Sequence, residues 1–160
     1  MNFDFGRSGD NVRTRGFEWI SPYKNTDIPL PERKTASSAG YDIAAIENVS
    51  LPPQQMTLIP TGLKAYMQPD EYLGIHIRSS LAVKQNLSLA NSQGIIDADY
   101  YNNPDNEGHI LVAVFNHGSQ KFDIVKGTRI AQGIFYKYLL TDADQVAVSL
   151  RKGGFGSTGN

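Results

Sequence analysis

Hydrophobic and polar positions alternate along YLGIHIR, residues 72–78. Leu73, Ile75 and Ile77 fall on one side of an extended chain, and Tyr72, Gly74, His76 and Arg78 on the other. This predicts a half-buried strand. HILVAVFNH (109–117) is apolar on both faces, the pattern of a strand inside a sandwich. RIAQGIFYKYLL (129–140) is rich in β-branched and aromatic residues and predicts a long strand. MTLIPTGLKAYM (56–67) reads as two short strands interrupted by Pro-Thr-Gly. Turn signals recur at short intervals in LPPQ, QPDE, NNPDNEG, NHGS and VKGT. The helical pattern is confined to a turn or two around SSLAVKQN, with Ser79 or Ser80 as the cap. The reading is an all-β chain: a sandwich, jelly roll or barrel.

Composition narrows the function classes. A chain of 160 residues fits one domain, and neither an internal repeat nor a second domain is visible. A net charge of −1 gives no electrostatic footprint for a nucleic-acid polymer and no polybasic signal for a membrane. A small anionic ligand needs only a few local donors and stays compatible. The lack of cysteine excludes disulfides and thiolate metal sites. His76, His109 and His117 are not spaced as a metal-binding helix pair. Residues 1–14 are polar and aperiodic, which predicts a flexible terminus, and neither a signal peptide nor a transmembrane run is expected. The expected location is the cytoplasm.

Four polar stretches interrupt the strand pattern. SSAGYDIAA (37–45) is compatible with an ordinary hairpin start. RSSLA (78–82) places an arginine and two hydroxyls at a strand end, as donors to phosphate oxygens or as a serine cap beside an incidental arginine. In NSQGIIDADYYN (91–102), Asn91 carries both the donor and the acceptor needed to read a base edge. Asp97 and Asp99 point the same way if that segment is extended. Such carboxylates can serve as a general base on water or satisfy turn N–H groups. Finally, RKGGFGSTG (151–159) is glycine-rich yet contains Phe155. It is not a Walker A loop, because the lysine and the following helix are missing. Its N–H groups, hydroxyls and cations suit a polyphosphate, and its ring suits stacking on a base.

In this order the stretches resemble the trimeric dUTP nucleotidohydrolase (dUTPase) family, bacterial and phage type. AGYDIAA, RSSLA, NSQGIIDADY, KGTRIAQ (126–132) and RKGGFGSTG are similar to its five motifs and cover nearly the whole chain from Arg15. The resemblance implies a jelly-roll-like (β-clip) subunit over residues 15–150, a glycine-rich lid arm over 151–160, and a homotrimer with three active sites between subunits. The implied reaction converts dUTP to dUMP and pyrophosphate, keeping uracil out of DNA and supplying dUMP for thymidylate synthesis. Asp97 is then the general base. Asn91 and the hairpin backbone over 87–94, with Gly94 and Ile96, read uracil, and Tyr100 lies against the deoxyribose. Arg78, Ser79, Ser80 and Gln132 contact the phosphates. Phe155 stacks on uracil, and Arg151, Gly156, Ser157 and Thr158 close over the triphosphate. Mg²⁺ is implied as a cofactor held mainly by phosphates and waters, with Asp42 near its water shell or the catalytic carboxylate.

The sequence departs from the family pattern at four places. Ser80 and Thr128 replace a usual Gly and Asp, the spacing after Arg151 is one residue shorter, and residues 103–108 add a short loop. Two alternatives are kept: a dCTP deaminase-like enzyme of the same fold, and a nucleotide-gated binder of a regulatory protein. The deaminase needs a proton shuttle, usually Glu, beside the base amine, and residues 87–94 contain none. The binder's candidate surface is the 103–108 loop.

Overall fold

The alternation at residues 72–78 folds as the centre of a four-stranded antiparallel sheet. The computed structural model describes residues 12–145. Its strands, in chain order, are β1 (Gly16–Trp19), β2 (Tyr41–Ala44), β3 (Val49–Leu51), β4 (Met56–Pro60), β5 (Leu63–Tyr66), β6 (Glu71–Ile77), β7 (Leu87–Leu89), β8 (Gly94–Asp97), β9 (Leu111–Asn116), β10 (Phe122–Ile124) and β11 (Arg129–Lys137). One α-helix, α1 (Ser79–Gln85), and two single 3₁₀ turns, Ser21–Tyr23 and Ala98–Tyr100, complete the described span. The large sheet runs β2-β11-β6-β8, a second sheet runs β4-β9-β7, and β1-β5 and β10-β3 form two-stranded ribbons. This is the all-β architecture that the pattern predicts.

The inward faces of these layers share one core. Ile43, Leu51, Ile59, Leu63, Leu73, Ile110, Val112, Val114, Ile124 and Ile130 are all buried. Each such side chain contributes about 1.5–3 kcal/mol when removed from water. Phe17, Tyr41 and Phe135 form an aromatic cluster with centroids 5.4–6.1 Å apart. At the start of β6, the guanidinium of Arg15 grips the buried carboxylate of Glu71 in a fork, Nη2 to Oε1 at 2.6 Å and Nε to Oε2 at 3.0 Å.

Three expectations change. β9 is not apolar-buried on both faces: Val112, Val114 and Asn116 are buried while Leu111, Ala113 and Phe115 are half-buried. Among the described residues only one side of the β4-β9-β7 sheet is covered, and on the other side Met56 and Leu58 are exposed. Neither serine caps α1. Arg78 is the cap, still extended at φ −70° and ψ 135°, and its carbonyl accepts the N–H groups of Leu81 and Ala82. Ser79 and Ser80 therefore belong to the first turn, whose N–H groups a cap would have to precede. The long C-terminal strand ends at Lys137, leaving Leu139 and Leu140 exposed beyond it. Gly62, between β4 and β5, sits at φ +72°, the left-handed conformation that the Pro-Thr-Gly break signals.

Candidate active site

One cluster of predicted residues gathers where β2, β11 and β6 lie side by side. Gln132 on β11 is opposite Asp42 on β2 and His76 on β6. Asp42 Oδ2 accepts a 2.8 Å bond from Arg129 Nη1, and its Oδ1 lies 3.8 Å from Arg78 Nε. Arg78 directly follows β6, so α1 opens at the same edge with Ser79 and Ser80 exposed. Gly40 serves this cluster by having no side chain. A β-carbon there would lie 2.2 Å from Gln132 Oε1. Two guanidiniums, an amide and two hydroxyls at one sheet end make an anion-binding surface.

Sequence reasoning missed Arg129. In a regular strand, residues 129 and 132 face opposite ways. Here the register shifts between Arg129 and Ala131 against β2: Arg129 pairs with Ala44 and Ala131 with Ile43. Ile130 is the extra residue, and its carbonyl accepts the Arg78 N–H at 3.2 Å. The bulge brings Arg129 onto the face of Gln132 and Asp42.

A second cluster lies at the other end of β6. β8 pairs with β6 so that Asp97 is opposite Tyr72, Ile96 opposite Leu73 and Gly94 opposite Ile75. Asp97 ends the strand and caps the 3₁₀ turn that carries Asp99 and Tyr100. The chain turns there, so Asp97 and Asp99 are not on one face of a strand, contrary to the extended reading. Asp97 and Asp99 line an open cleft of about 530 Å³ with Met67, Pro69, Ala98 and Tyr138. Tyr100 is buried, and its hydroxyl donates to the His109 carbonyl at 3.0 Å. Asn91 lies exposed in the turn before β8, where its carbonyl accepts the Gln93 N–H. The segment 87–94 is not a paired hairpin, because β7 joins β9 while β8 joins β6. It carries the chain from one sheet to the other.

The two clusters are far apart within one chain. Asp97 is level with Tyr72, and Arg78 is six residues further along the same line, about 20 Å at the rise of a strand. Asp42, Arg78, Ser79, Ser80 and Gln132 thus come together, and Asp97 and Tyr100 stand at the far end of β6, with Ile96 and Gly94 on β8 between the two. Arg151, Phe155, Gly156, Ser157 and Thr158 lie outside the described residues.

The 103–108 loop is built into the domain. Asn103 is 5% exposed. The Glu107 carboxylate accepts from the Ser21 N–H and hydroxyl, and the buried Lys64 ammonium lies 3.5 Å from it and 2.7 Å from Asn102 Oδ1. Nearby, the Tyr101 hydroxyl donates to Glu18 at 2.7 Å. That bond, with Arg13 adding to it, lowers the Glu18 carboxyl below its ordinary range, while burial and Glu18 raise the Tyr101 phenol. His109 accepts the Gly62 N–H on Nε2 at 2.9 Å, and burial lowers its imidazole below the ordinary value.

No helix among the described residues is long and apolar enough to cross a membrane. The dUTPase family profile matches residues 26–159. The deoxyuridine 5′-triphosphate nucleotidohydrolase of Lactococcus lactis subsp. lactis (strain IL1403) is 51% identical over 149 residues, covering 92% of this chain and 99% of the relative. The enzyme of the same name from Rickettsia felis is 41% identical over 147 residues, covering 88% and 95%. The crystal structure of dUTPase from Streptococcus mutans superposes with a TM-score of 0.76 at 45% identity, covering 80% of this chain and 99% of that one. The dUTPase of phage phi11 of S. aureus, at 21% identity and a TM-score of 0.69 over 84% of this chain and 96% of that one, shares the fold. The chain belongs to the dUTPase family and is an enzyme that hydrolyses dUTP.

Proposed function

We propose that this hydrolysis is an in-line attack of water on the α-phosphorus, with Asp97 as the general base. The water oxygen bonds to phosphorus, the bond to the bridging oxygen of the β-phosphate breaks, and pyrophosphate leaves dUMP. The water's proton passes to the Asp97 carboxylate. Asn91 and the backbone of 87–94, with Gly94 and Ile96, read uracil, and Tyr100 borders the deoxyribose. Arg78, Ser79, Ser80 and Gln132 hold the phosphates. Arg129 joins them through Asp42, which it orients. Arg151, Phe155, Gly156, Ser157 and Thr158 keep the closing role given by their motif.

The observation that carries this reading is the separation of Asp97 from Arg78 by most of the length of β6. A triphosphate held by Arg78 does not reach Asp97 of the same chain. The site therefore joins the phosphate-binding end of one copy to the carboxylate end of another, in a homotrimer with three such sites. Among the described residues no three His, Asp or Glu gather as a metal cage, and Asp42 already faces two guanidiniums. This donor set fits Mg²⁺ held mainly by the phosphates and waters, with Asp42 ordering the water shell. When bound, Mg²⁺ supplies positive charge against the charge developing on the phosphates.

Subunit mixing tests the reading. Asp97→Asn and Arg78→Ala chains are each expected to be inactive in pyrophosphate release. Unfolded together and refolded, they should recover activity, because about a quarter of sites then pair an intact Arg78 with an intact Asp97. Mixed trimers as inactive as the parents would place both residues in one chain's site and overturn the shared arrangement.

A further inference from the structure

The segment after Asp97 is fixed far more tightly than a surface loop requires. The Asn106 side-chain amide donates to the Tyr100 hydroxyl at 2.9 Å, and that hydroxyl donates in turn to the His109 carbonyl. Asn103 Nδ2 reaches the Tyr100 carbonyl at 2.9 Å and Asn106 Oδ1 at 2.8 Å. Asn103 Oδ1 accepts the N–H groups of Asp105 and Asn106, and Asn106 Oδ1 accepts that of Gly108. Tyr100 is thus held at both ends, by its backbone and by its phenol.

The backbone is strained to achieve this. Asn102 and Glu107 both adopt left-handed conformations, at φ 56° and 60°. Gly108 sits at φ 86°, where a β-carbon would stand 2.6 Å from the Tyr100 carbonyl oxygen. Lys64 and Ser21 hold the two strained non-glycine residues from outside the loop. Strain of this kind persists only where the surroundings over-determine it. Three of these bonds end on Tyr100, two at its hydroxyl and one at its carbonyl, at the close of the 3₁₀ turn that Asp97 caps.

We propose that Asn106, held by Asn103, is a positioning residue for dUTP hydrolysis. It sets the place of the Tyr100 ring and of the turn that follows Asp97, so selection of deoxyribose over ribose depends on Asn106 as well as on Tyr100. The inference rests on the reading that puts Tyr100 against the sugar. It assigns the 103–108 loop a role within the active site rather than in partner recognition.

The test is pyrophosphate release with Mg²⁺ from dUTP and from UTP, with kcat and KM resolved, for the full chain. Asn106→Asp keeps the oxygen used by Asn103 and Gly108 but removes the N–H that reaches Tyr100, and it draws the phenol hydroxyl away from His109. The expected result is a loss of about tenfold in the preference for dUTP over UTP, within the roughly hundredfold cost of a one-ångström misplacement, with the melting temperature nearly unchanged. Asn106→Ala should lose as much or more. Adding Asn106→Asp to Tyr100→Ile should lower the preference no further than Tyr100→Ile alone. If Tyr100→Ile loses the preference and Asn106→Asp retains it, the role of Asn106 is overturned while the sugar reading stands. If Tyr100→Ile retains the preference, the sugar reading falls and the inference with it. The aspartate variant decides the question even if Asn106→Ala fails to fold.

Discussion

Gly40 and Gln132 share one space: the backbone of the first passes so close to the side-chain oxygen of the second that a β-carbon would stand 2.2 Å away. Gly40→Ala should therefore displace the Gln132 amide without disturbing the core. The expected outcome is a fall in kcat/KM for dUTP of about tenfold or more, with a stability change within about 1 kcal/mol. Steady-state kinetics and thermal unfolding on the same preparation check this. A variant with unchanged kinetics would remove Gln132 from the phosphate site.

Asp97→Asn keeps the shape of the side chain at the end of β8 and removes the base. Pyrophosphate release should fall by about 10²-fold or more, while the circular dichroism spectrum and the assembly state stay as in the parent. Near-normal turnover would assign the proton to another group.

Of the groups that make stability fall with acid, His109 and Glu71 act in separate windows. His109 has an imidazole lowered from 6.5 by burial, and the neutral ring accepts the Gly62 N–H. The folded state binds this proton less readily than the unfolded chain does. The associated stability is fully present above about 6.5 and lost as pH falls through the lowered value. Melting temperature should decline from pH 7 toward pH 5, and His109→Gln should flatten that slope.

Glu71 acts lower on the scale. The bond from Arg15 holds its carboxyl below the ordinary 4.5, against the opposing effect of burial. Its contribution is present above that value and disappears as pH drops through the lowered one. Glu71→Gln should weaken the fold at pH 7 and flatten the acid limb below pH 4.5. An acid limb identical to the parent's would exclude Glu71 as its source.

Leu73 lies at the centre of β6, fully buried. Leu73→Ala should cost about 2–5 kcal/mol in denaturant unfolding, through lost burial and the cavity left behind.

Strict alternation made β6 legible, and the β-branched and aromatic run made β11 legible, because each is read locally, the first from periodicity and the second from composition. Arg78 and Asp42, which the resemblance assigns to the phosphate end, come within 3.8 Å of each other, although the local pattern alone did not single out Asp42. What local pattern could not give is anything decided by pairing. Arg129 reaches Asp42 only because a bulge re-phases β11. The family resemblance implies a hairpin over 87–94, but β7 and β8 bond to different sheets. Asp97 and Asp99 match an extended template, yet the chain turns immediately after Asp97. The 103–108 loop has the polar, turn-rich composition of a solvated connection. Its function as a brace rests on side-chain amides meeting Tyr100, which composition does not record.

The supernumerary Ile130 has a consequence for how this chain can vary in length. Deleting that single residue would straighten β11 against β2 with Arg129 and Gln132 two positions apart and still on one face, so the facing pattern would survive. What would be lost is the fully buried Ile130 side chain and the carbonyl that the Arg78 N–H reaches. Chain length at this point can therefore shorten by one without turning either polar side chain inward, at the cost of a core residue.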